Sequence, residues 1–168
     1  MVEVLKRREA LSLFAAAAVL PGTAFATDFI DLEWDDLLPK GQRAIPRALQ
    51  SLIEHDSPSL SSQQPASTGV RTDWNGQIVR LPGFVVPIDT VGTAVTAFIL
   101  VPYVGACIHV PPPPANQLVF VTTEKPYEVD GLYAAVNVTG MFGVSSMSTQ
   151  LAQIGYALSA DKIEPFGN

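Results

Sequence analysis

Cys107 and His109 are the two residues whose types and spacing could most readily do chemistry. Cys107 is the only cysteine of the chain, and His109 is one of its two histidines. In an extended chain, residues two positions apart point to one face, with Cα atoms roughly 7 Å apart. A thiolate sulfur and an imidazole nitrogen at that spacing can converge on one zinc ion, with bonds of about 2.3 and 2.0 Å. The pair therefore predicts a metal site.

The residues around this pair favour a stiff loop with open coordination positions. A run of four prolines starts with Pro111 and Pro112. Because proline fixes φ, we expect this run to keep the loop rigid without a hydrogen-bond ladder. Structural zinc takes four ligands, and this chain has no second cysteine. By pattern, Asp89 is the best nearby carboxylate for a third ligand. A soft thiolate with one imidazole would also suit Cu(I).

Two other interpretations of Cys107 stay open. A cysteine in an apolar segment is often a packed residue, and the chain would then be a non-catalytic interaction module that binds through Trp34 or the proline loop. A reactive thiol would instead make it a thiol-dependent enzyme. The sequence contains neither a Cys-x-x-Cys nor a Gly-x-Ser-x-Gly motif. We therefore expect a binding function rather than catalysis.

The first 26 residues have the features of an export signal. Lys6-Arg7-Arg8 precedes an apolar run over Leu11–Leu20, and Ala24-Phe25-Ala26 predicts cleavage before Thr27. The paired arginines favour the twin-arginine route, with the general secretory route as the alternative. The apolar run is shorter than the ~20 residues that span a bilayer. We expect a periplasmic protein whose mature chain does not insert into the membrane.

The overall charge narrows the possible partners. The formal net charge is −6, and the mature chain contains no cluster of lysine and arginine. Proteins that bind nucleic acid need such clusters to neutralise phosphates. We therefore expect no nucleic-acid partner.

The elements that must position the pair are predicted from periodicity. Residues 27–56 have two short helical patterns and are predicted as a helical arm, ending at His55, where a positive charge is favourable. Residues 57–71, rich in Ser, Gln, Pro and Thr, are predicted as a linker. Residues 72–168 are predicted as a β-rich domain.

Within that domain, five apolar runs are typical of strands, and the first contains Pro82-Gly83, which predicts a bend or a bulge. A short helix is expected over Met147–Ile154, before the last strand. Five short strands, one of them bent, predict a mainly β fold, namely a small OB-like barrel or half-barrel. The runs cover Gln77–Ile88, Thr96–Val101, Gln117–Val121, Leu132–Gly140 and Tyr156–Glu164.

The sequence also resembles the DUF3299 type of bacterial exported proteins, a family without an assigned function. The resemblance implies a small periplasmic protein. Since some members look like accessory partners of metal ABC transport systems, it also implies a periplasmic or inner-membrane transport protein as partner. It carries over Cys107 and His109 as candidate ligands, and Asn116 and Gln117 as loop-fixing residues. The motifs are Trp34-Asp35-Asp36-Leu37-Leu38-Pro39, the run Val79–Ile88, the run Phe98–Tyr103, the Cys-x-His loop with four prolines and Asn-Gln over Cys107–Gln117, and Gly155-Tyr156-Ala157-Leu158.

Overall fold

The computed structural model describes residues 28–42, 64–106 and 112–167, and within these ranges β-strands dominate. None of the helices in these ranges is long and apolar enough to cross a membrane. The elements in chain order are β1 (Ile30–Asp31), a 3₁₀ turn (Trp34–Leu37), β2 (Ile78–Val91), β3 (Ala94–Val101), a second 3₁₀ turn (Ala115–Gln117), β4 (Val119–Glu128), β5 (Ala135–Ser148) and β6 (Gln153–Pro165).

The five long strands close into a barrel. β2 pairs antiparallel with β3, and β3 pairs antiparallel with β4. β4 then pairs parallel with β6, β6 pairs antiparallel with β5, and β5 returns antiparallel to β2. The two-residue strand β1 adds outside this circuit, parallel to β2. The predicted mainly β fold and five-stranded barrel are confirmed.

Barrel closure depends on the staggered pairing of β2 with two neighbouring strands. Its first half, Ile78–Phe84, pairs with β5, and its second half, Phe84–Val91, pairs with β3. At Gly83 a Cβ atom would lie 2.7 Å from the Leu100 side chain, so only glycine lets β2 turn this closely over β3. The pairing with β5 is regular through Pro82 and Gly83, and the register shifts of β2 lie between Pro87 and Thr90. The bend or bulge expected at Pro82-Gly83 therefore stays a prediction.

The barrel interior is filled by the alternating apolar residues of all five strands. Phe142 and Tyr156 form an aromatic pair in this core, with ring centroids 5.1 Å apart. A second, smaller cluster, which includes Val86, Ile99 and Ala106, lies where the β3–β4 connection begins and ends.

The helix expected over Met147–Ile154 is wrong. β5 continues to Ser148 and β6 begins at Gln153, so this segment is a β-hairpin turn. The Thr149 hydroxyl accepts hydrogen bonds from the backbone N–H groups of Leu151 at 3.2 Å and Ala152 at 3.1 Å. A threonine side chain that satisfies backbone donors in this way favours a turn over a helix.

The helical arm is also not supported. Residues 28–42 contain only β1 and a single 3₁₀ turn, which ends at Leu37. Pro39 explains the stop, because the residue before a proline is disfavoured in the α-helical region, and Leu38 is extended. The export signal over residues 1–26, the second helical pattern over residues 44–54 and His55 lie outside the described residues.

The described part of the predicted linker is held against the barrel. The Gln64 side chain donates to the carbonyl oxygens of Pro113 and Gln153, each at 2.8 Å. The backbone N–H of Gln153 donates back to the Gln64 side-chain oxygen at 2.8 Å. Further along, the Arg71 backbone N–H donates to the Tyr156 hydroxyl at 2.7 Å. Residues 64–71 therefore form a strap across the barrel rather than a free spacer.

Candidate functional site

The candidate site lies in the connection between β3 and β4. β3 ends at Val101, and the described chain runs on to Ala106 and resumes at Pro112. Cys107, His109 and Pro111 fall within residues 107–111, outside the described residues. The structure thus defines how the chain enters and leaves the predicted metal-binding segment.

The entry is fixed by a tyrosine from the β4–β5 loop. Ala106 is fully buried, and its carbonyl oxygen accepts a hydrogen bond from the Tyr133 hydroxyl at 2.8 Å. Tyr133 is itself anchored, because its backbone N–H donates to the carbonyl oxygen of Val85 on β2 at 3.0 Å. Its φ of 62° is the one positive value among non-glycine residues in the described ranges. Two connections are therefore joined where the segment begins.

The exit is fixed by burial and by the strap. Pro112 and Pro113 are buried, as expected of prolines that hold a loop. The Pro113 carbonyl oxygen accepts the hydrogen bond from Gln64, and the chain then enters the Ala115–Gln117 turn that leads into β4. The segment therefore returns to a packed part of the barrel.

Asn116 and Gln117 connect the end of the loop to the amino-terminal part of the chain. The Asn116 amide group donates to the Gly69 carbonyl oxygen at 2.7 Å and to the Thr68 hydroxyl at 3.2 Å. The Gln117 amide group donates to the Trp34 carbonyl oxygen at 2.8 Å. The buried side-chain oxygen of Asn116 has no hydrogen-bond partner in the described part of the chain. Both residues hold the loop end, through partners that are distant in sequence.

Asp89 lies away from this region. It is exposed on β2 and pairs with Ala97, close to the β2–β3 hairpin. The β3–β4 connection begins at the opposite end of β3, where Val101 pairs with Phe84. Five residues of strand separate Asp89 from Phe84, which is roughly 16 Å. The structure therefore does not bring Asp89 to the start of the predicted metal-binding segment.

Among the described residues, no group of three or more His, Cys, Asp or Glu side chains could hold a metal ion. This finding does not extend to residues 107–111, so the predicted Cys107–His109 site stays a prediction. Its further ligands would be a carboxylate, His55, water or a second protein.

An apolar pocket of about 160 Å³ opens beside the entry to the segment. Its wall includes Pro102, which directly follows β3, and Trp34, whose indole N–H donates to the Pro82 carbonyl oxygen at 2.8 Å. Phe166 contributes to the rim and is 62% exposed. The lining residues are Trp34, Pro82, Gly83, Phe84, Pro102, Ala135 and Phe166.

Sequence reasoning identified Trp34 as a possible contact surface but missed the rest of this pocket. Phe84 and Ala135 meet because they pair with each other between β2 and β5, and such pairing cannot be read from local periodicity. The sequence could have indicated Phe166 as a pocket residue, because it is a large aromatic residue that follows the last strand pattern. No local sequence feature could have indicated Tyr133, because its contact with Ala106 joins the β4–β5 loop to the β3–β4 connection.

Comparison with known proteins gives a family but no activity. A family model described as a protein of unknown function, DUF3299, matches residues 34–165. The crystal structure of a DUF3299 family protein from Pseudomonas aeruginosa PAO1 is similar, with 36% sequence identity and a TM-score of 0.70, over 84% of this chain and 98% of that chain. No curated protein matches the chain. With the matched residues spanning most of its length, this chain belongs to the DUF3299 family.

Proposed function

We propose that this protein is a periplasmic metal-binding accessory protein that holds a zinc or copper(I) ion through Cys107 and His109. The observation that carries the proposal is the anchoring of the described residues on either side of residues 107–111. This segment leaves the buried residue Ala106 and returns at the buried residue Pro112. A short segment with fixed ends and a proline at its last position loses little conformational entropy when it binds an ion.

The chemistry of the two side chains favours a transferable ion over a permanent structural one. One thiolate and one imidazole leave two positions of tetrahedral zinc to water or to another protein. The same pair also suits Cu(I), which binds soft sulfur ligands. Asp89 is not part of the proposed site, because it lies near the opposite end of β3. The receiving partner is a transport protein in the periplasm or the inner membrane.

The barrel itself is proposed to be of the OB type. Its first strand, β2, is shared between two neighbours, and its third and fifth strands, β4 and β6, pair in parallel. No helix joins the third and fourth strands, because residues 129–134 form a short loop there. OB barrels often bind oligonucleotides, but the net charge of −6 argues against a nucleic-acid ligand here.

The second candidate function is a non-catalytic interaction module, and the apolar pocket favours it. The pocket is lined by apolar and aromatic side chains, and its rim residue Phe166 is exposed. Exposed aromatic residues beside a pocket are common where proteins bind partners. In this case Cys107 is a packing residue, and its replacement by serine affects stability alone.

Metal content distinguishes the two candidates. The protein is purified from the periplasm without a metal-affinity tag, and zinc and copper are measured by mass spectrometry. We expect about one ion per chain in the wild type and none in Cys107→Ser or His109→Ala. Asp89→Asn is the matched control and should keep the ion. A wild type that is metal-free and takes up neither metal on titration would exclude the metal function.

A further inference from the structure

We propose that a pocket on the outer face of the barrel binds a free α-amino acid with an apolar side chain. The pocket has a volume of about 400 Å³ and is lined by residues of β2, β5 and β6, together with Phe29, which precedes β1. Sites for small molecules are typically concave and partly apolar, with a few fixed polar groups. The site uses no residue of the β3–β4 connection, so the inference goes beyond the metal function proposed above and does not depend on it.

The floor of the pocket is Thr139 on β5. Its strand neighbour Val138 belongs to the barrel core, so the alternation of side chains along a strand places Thr139 on the outer face. Only 9% of this outward residue is exposed, so it lies in a recess. Its hydroxyl makes no hydrogen bond with any other described residue. A recessed hydroxyl of this kind is a group that a bound ligand can satisfy.

The cationic wall of the pocket is Arg80, which is held from two sides. Its Nε atom donates to Asp31 Oδ1 at 2.6 Å, and its guanidinium group lies 4.5 Å from the centre of the Phe29 ring. Arg80 also pairs directly with Thr139 between β2 and β5. Within the described ranges, its two terminal amino groups donate no hydrogen bond. A positioned guanidinium with this end open can bind a carboxylate through two parallel hydrogen bonds.

The anionic wall is formed at a β-bulge in β6. Thr139 pairs with Lys162, and the next residue, Gly140, pairs with Ala160. Asp161 is therefore an extra residue between the two pairs. Neighbours on a regular strand point to opposite faces, whereas at this bulge both Asp161 and Lys162 line the pocket. Asp161 forms no ion pair with another residue in the part of the chain that the structure describes. The bulge thus brings an available carboxylate to the side of the hydroxyl opposite the guanidinium group.

The charges around the pocket fit a ligand that carries one charge of each sign. The Lys162 Nζ atom lies 2.8 Å from Glu164 Oε1, so these two residues form a neutral pair. Arg80 and Asp161 remain, on strands that are two strand spacings apart, or roughly 10 Å. A simple anion would be attracted by one of them and repelled by the other, and so would a simple cation. The carboxylate and the ammonium group of one amino acid match both.

The rest of the wall favours an apolar side chain on the ligand. Phe29 is 39% exposed, Ile78 is half-buried, and both line the pocket. An aliphatic side chain that covers them removes apolar surface from water. L-Leucine is therefore the probe, with two analogues that each lack one charge. The analogue 4-methylpentanoate lacks the ammonium group, and L-leucinamide lacks the carboxylate.

The test is a titration of the purified protein with L-leucine, followed by amide NMR spectra. We expect saturable shifts around Arg80, Thr139 and Asp161. A hydrogen bond to a charged group corresponds to a factor of about ten or more in affinity, so both analogues should bind at least that much more weakly. Asp161→Asn should weaken leucine binding by a similar factor and leave 4-methylpentanoate unchanged, because that analogue has no ammonium group. Thr139→Val should weaken leucine binding roughly fivefold.

Asp161→Asn is the decisive variant, because Asp161 is exposed and makes no described ion pair on which folding could depend. Asp89→Asn is its matched control: it removes an exposed carboxylate near the β2–β3 hairpin and should bind leucine like the wild type.

Three results would overturn the inference. The first is the absence of saturable shifts up to about 10 mM leucine, where a millimolar site would be filled. The second is a set of shifts that cluster outside this pocket. The third is wild-type affinity for leucine in Asp161→Asn, or equal affinity of the wild type for leucine and 4-methylpentanoate. None of these results bears on the metal content of Cys107→Ser, so the two proposals fail separately.

Discussion

At the scale of single residues, the sequence names candidate ligands by type and spacing but does not place them in the fold. Cys107 and His109 were singled out because their types and spacing are local properties of the chain. Asp89 was chosen by its place near the end of a strand pattern, but β2 continues to Val91 and carries Asp89 to the far end of β3. Tyr133 was not identified, because a contact between two loops depends on the pairing of β2 with β5.

Gly140 shows how strongly a single residue can be constrained in this barrel. A Cβ atom there would lie 2.0 Å from the Ser159 carbonyl oxygen, at a point where the register of β5 and β6 shifts. The clash is with backbone, which cannot move aside without breaking the pairing. Overpacking of this kind costs about 3 kcal/mol. We therefore expect Gly140→Ala to lower the free energy of unfolding in urea by about that amount.

Gly143→Ala is the matched control on the same strand. The nearest atom to its added Cβ would be the Asn75 side-chain oxygen at 3.8 Å, an ordinary contact. Its unfolding midpoint should stay close to the wild type. Equal midpoints for the two alanine variants would show that the backbone approach at Gly140 is looser than described.

At the scale of elements, strands were predicted more reliably than helices. The alternation of apolar residues on β2 and the apolar run of β3 reflect burial inside a barrel, and both runs lie within observed strands. The sequence favours a helix over Met147–Ile154 because Ser146 or Ser148 could cap it. Pairing of Met147 with Ile154 and of Ser148 with Gln153 turned this segment into a hairpin. Long-range strand pairing, rather than the local sequence pattern, therefore determines the structure of this segment.

The β5–β6 hairpin should depend on the Thr149 hydroxyl. It accepts two backbone hydrogen bonds and donates to the Ala152 carbonyl oxygen at 3.0 Å. Thr149→Val keeps the shape but leaves these groups without that partner, which costs about 1–2 kcal/mol. Thr149→Ser keeps the hydroxyl and should retain most of the stability. Urea denaturation of both variants measures the difference, and equal losses would assign the effect to the methyl group instead.

At the scale of the whole molecule, the amino-terminal residues are integrated into the barrel rather than appended to it. Trp34 contributes its carbonyl oxygen to Gln117 and its indole N–H to Pro82. Arg71 donates to the Asp36 carbonyl oxygen at 3.0 Å and lies 4.4 Å from the centre of the Trp74 ring. The sequence predicts a helical arm and a linker because composition and periodicity report local preference only. The hydrogen bonds that fasten these residues come from groups far along the chain, such as Pro82 and Gln117.

A substitution of Tyr156 can measure how much these contacts contribute to stability. Its buried hydroxyl donates to the Leu37 carbonyl oxygen at 2.7 Å and accepts from the Arg71 N–H at 2.7 Å. Tyr156→Phe removes both bonds at once and leaves two backbone groups without that partner. We expect the free energy of unfolding to fall by about 2 kcal/mol. Protease cleavage within residues 28–42 should also accelerate, because these residues lose a contact with the core.

The same substitution should change how stability depends on alkaline pH. Burial raises the pKa of Tyr156 above its ordinary value of 10.0, so the fold favours the neutral phenol. The resulting stabilisation is fully present below pH 10 and is lost as the pH rises through the folded pKa, because the unfolded chain releases its proton first. Urea unfolding of the wild type at pH 9 to 11 should therefore show falling stability, with a smaller fall in Tyr156→Phe. Since burial also raises the pKa of Tyr127, part of the slope should remain in the variant. Parallel slopes in the two proteins would show that the Tyr156 hydroxyl titrates as it does in the unfolded chain, and hence that burial does not raise its pKa in solution.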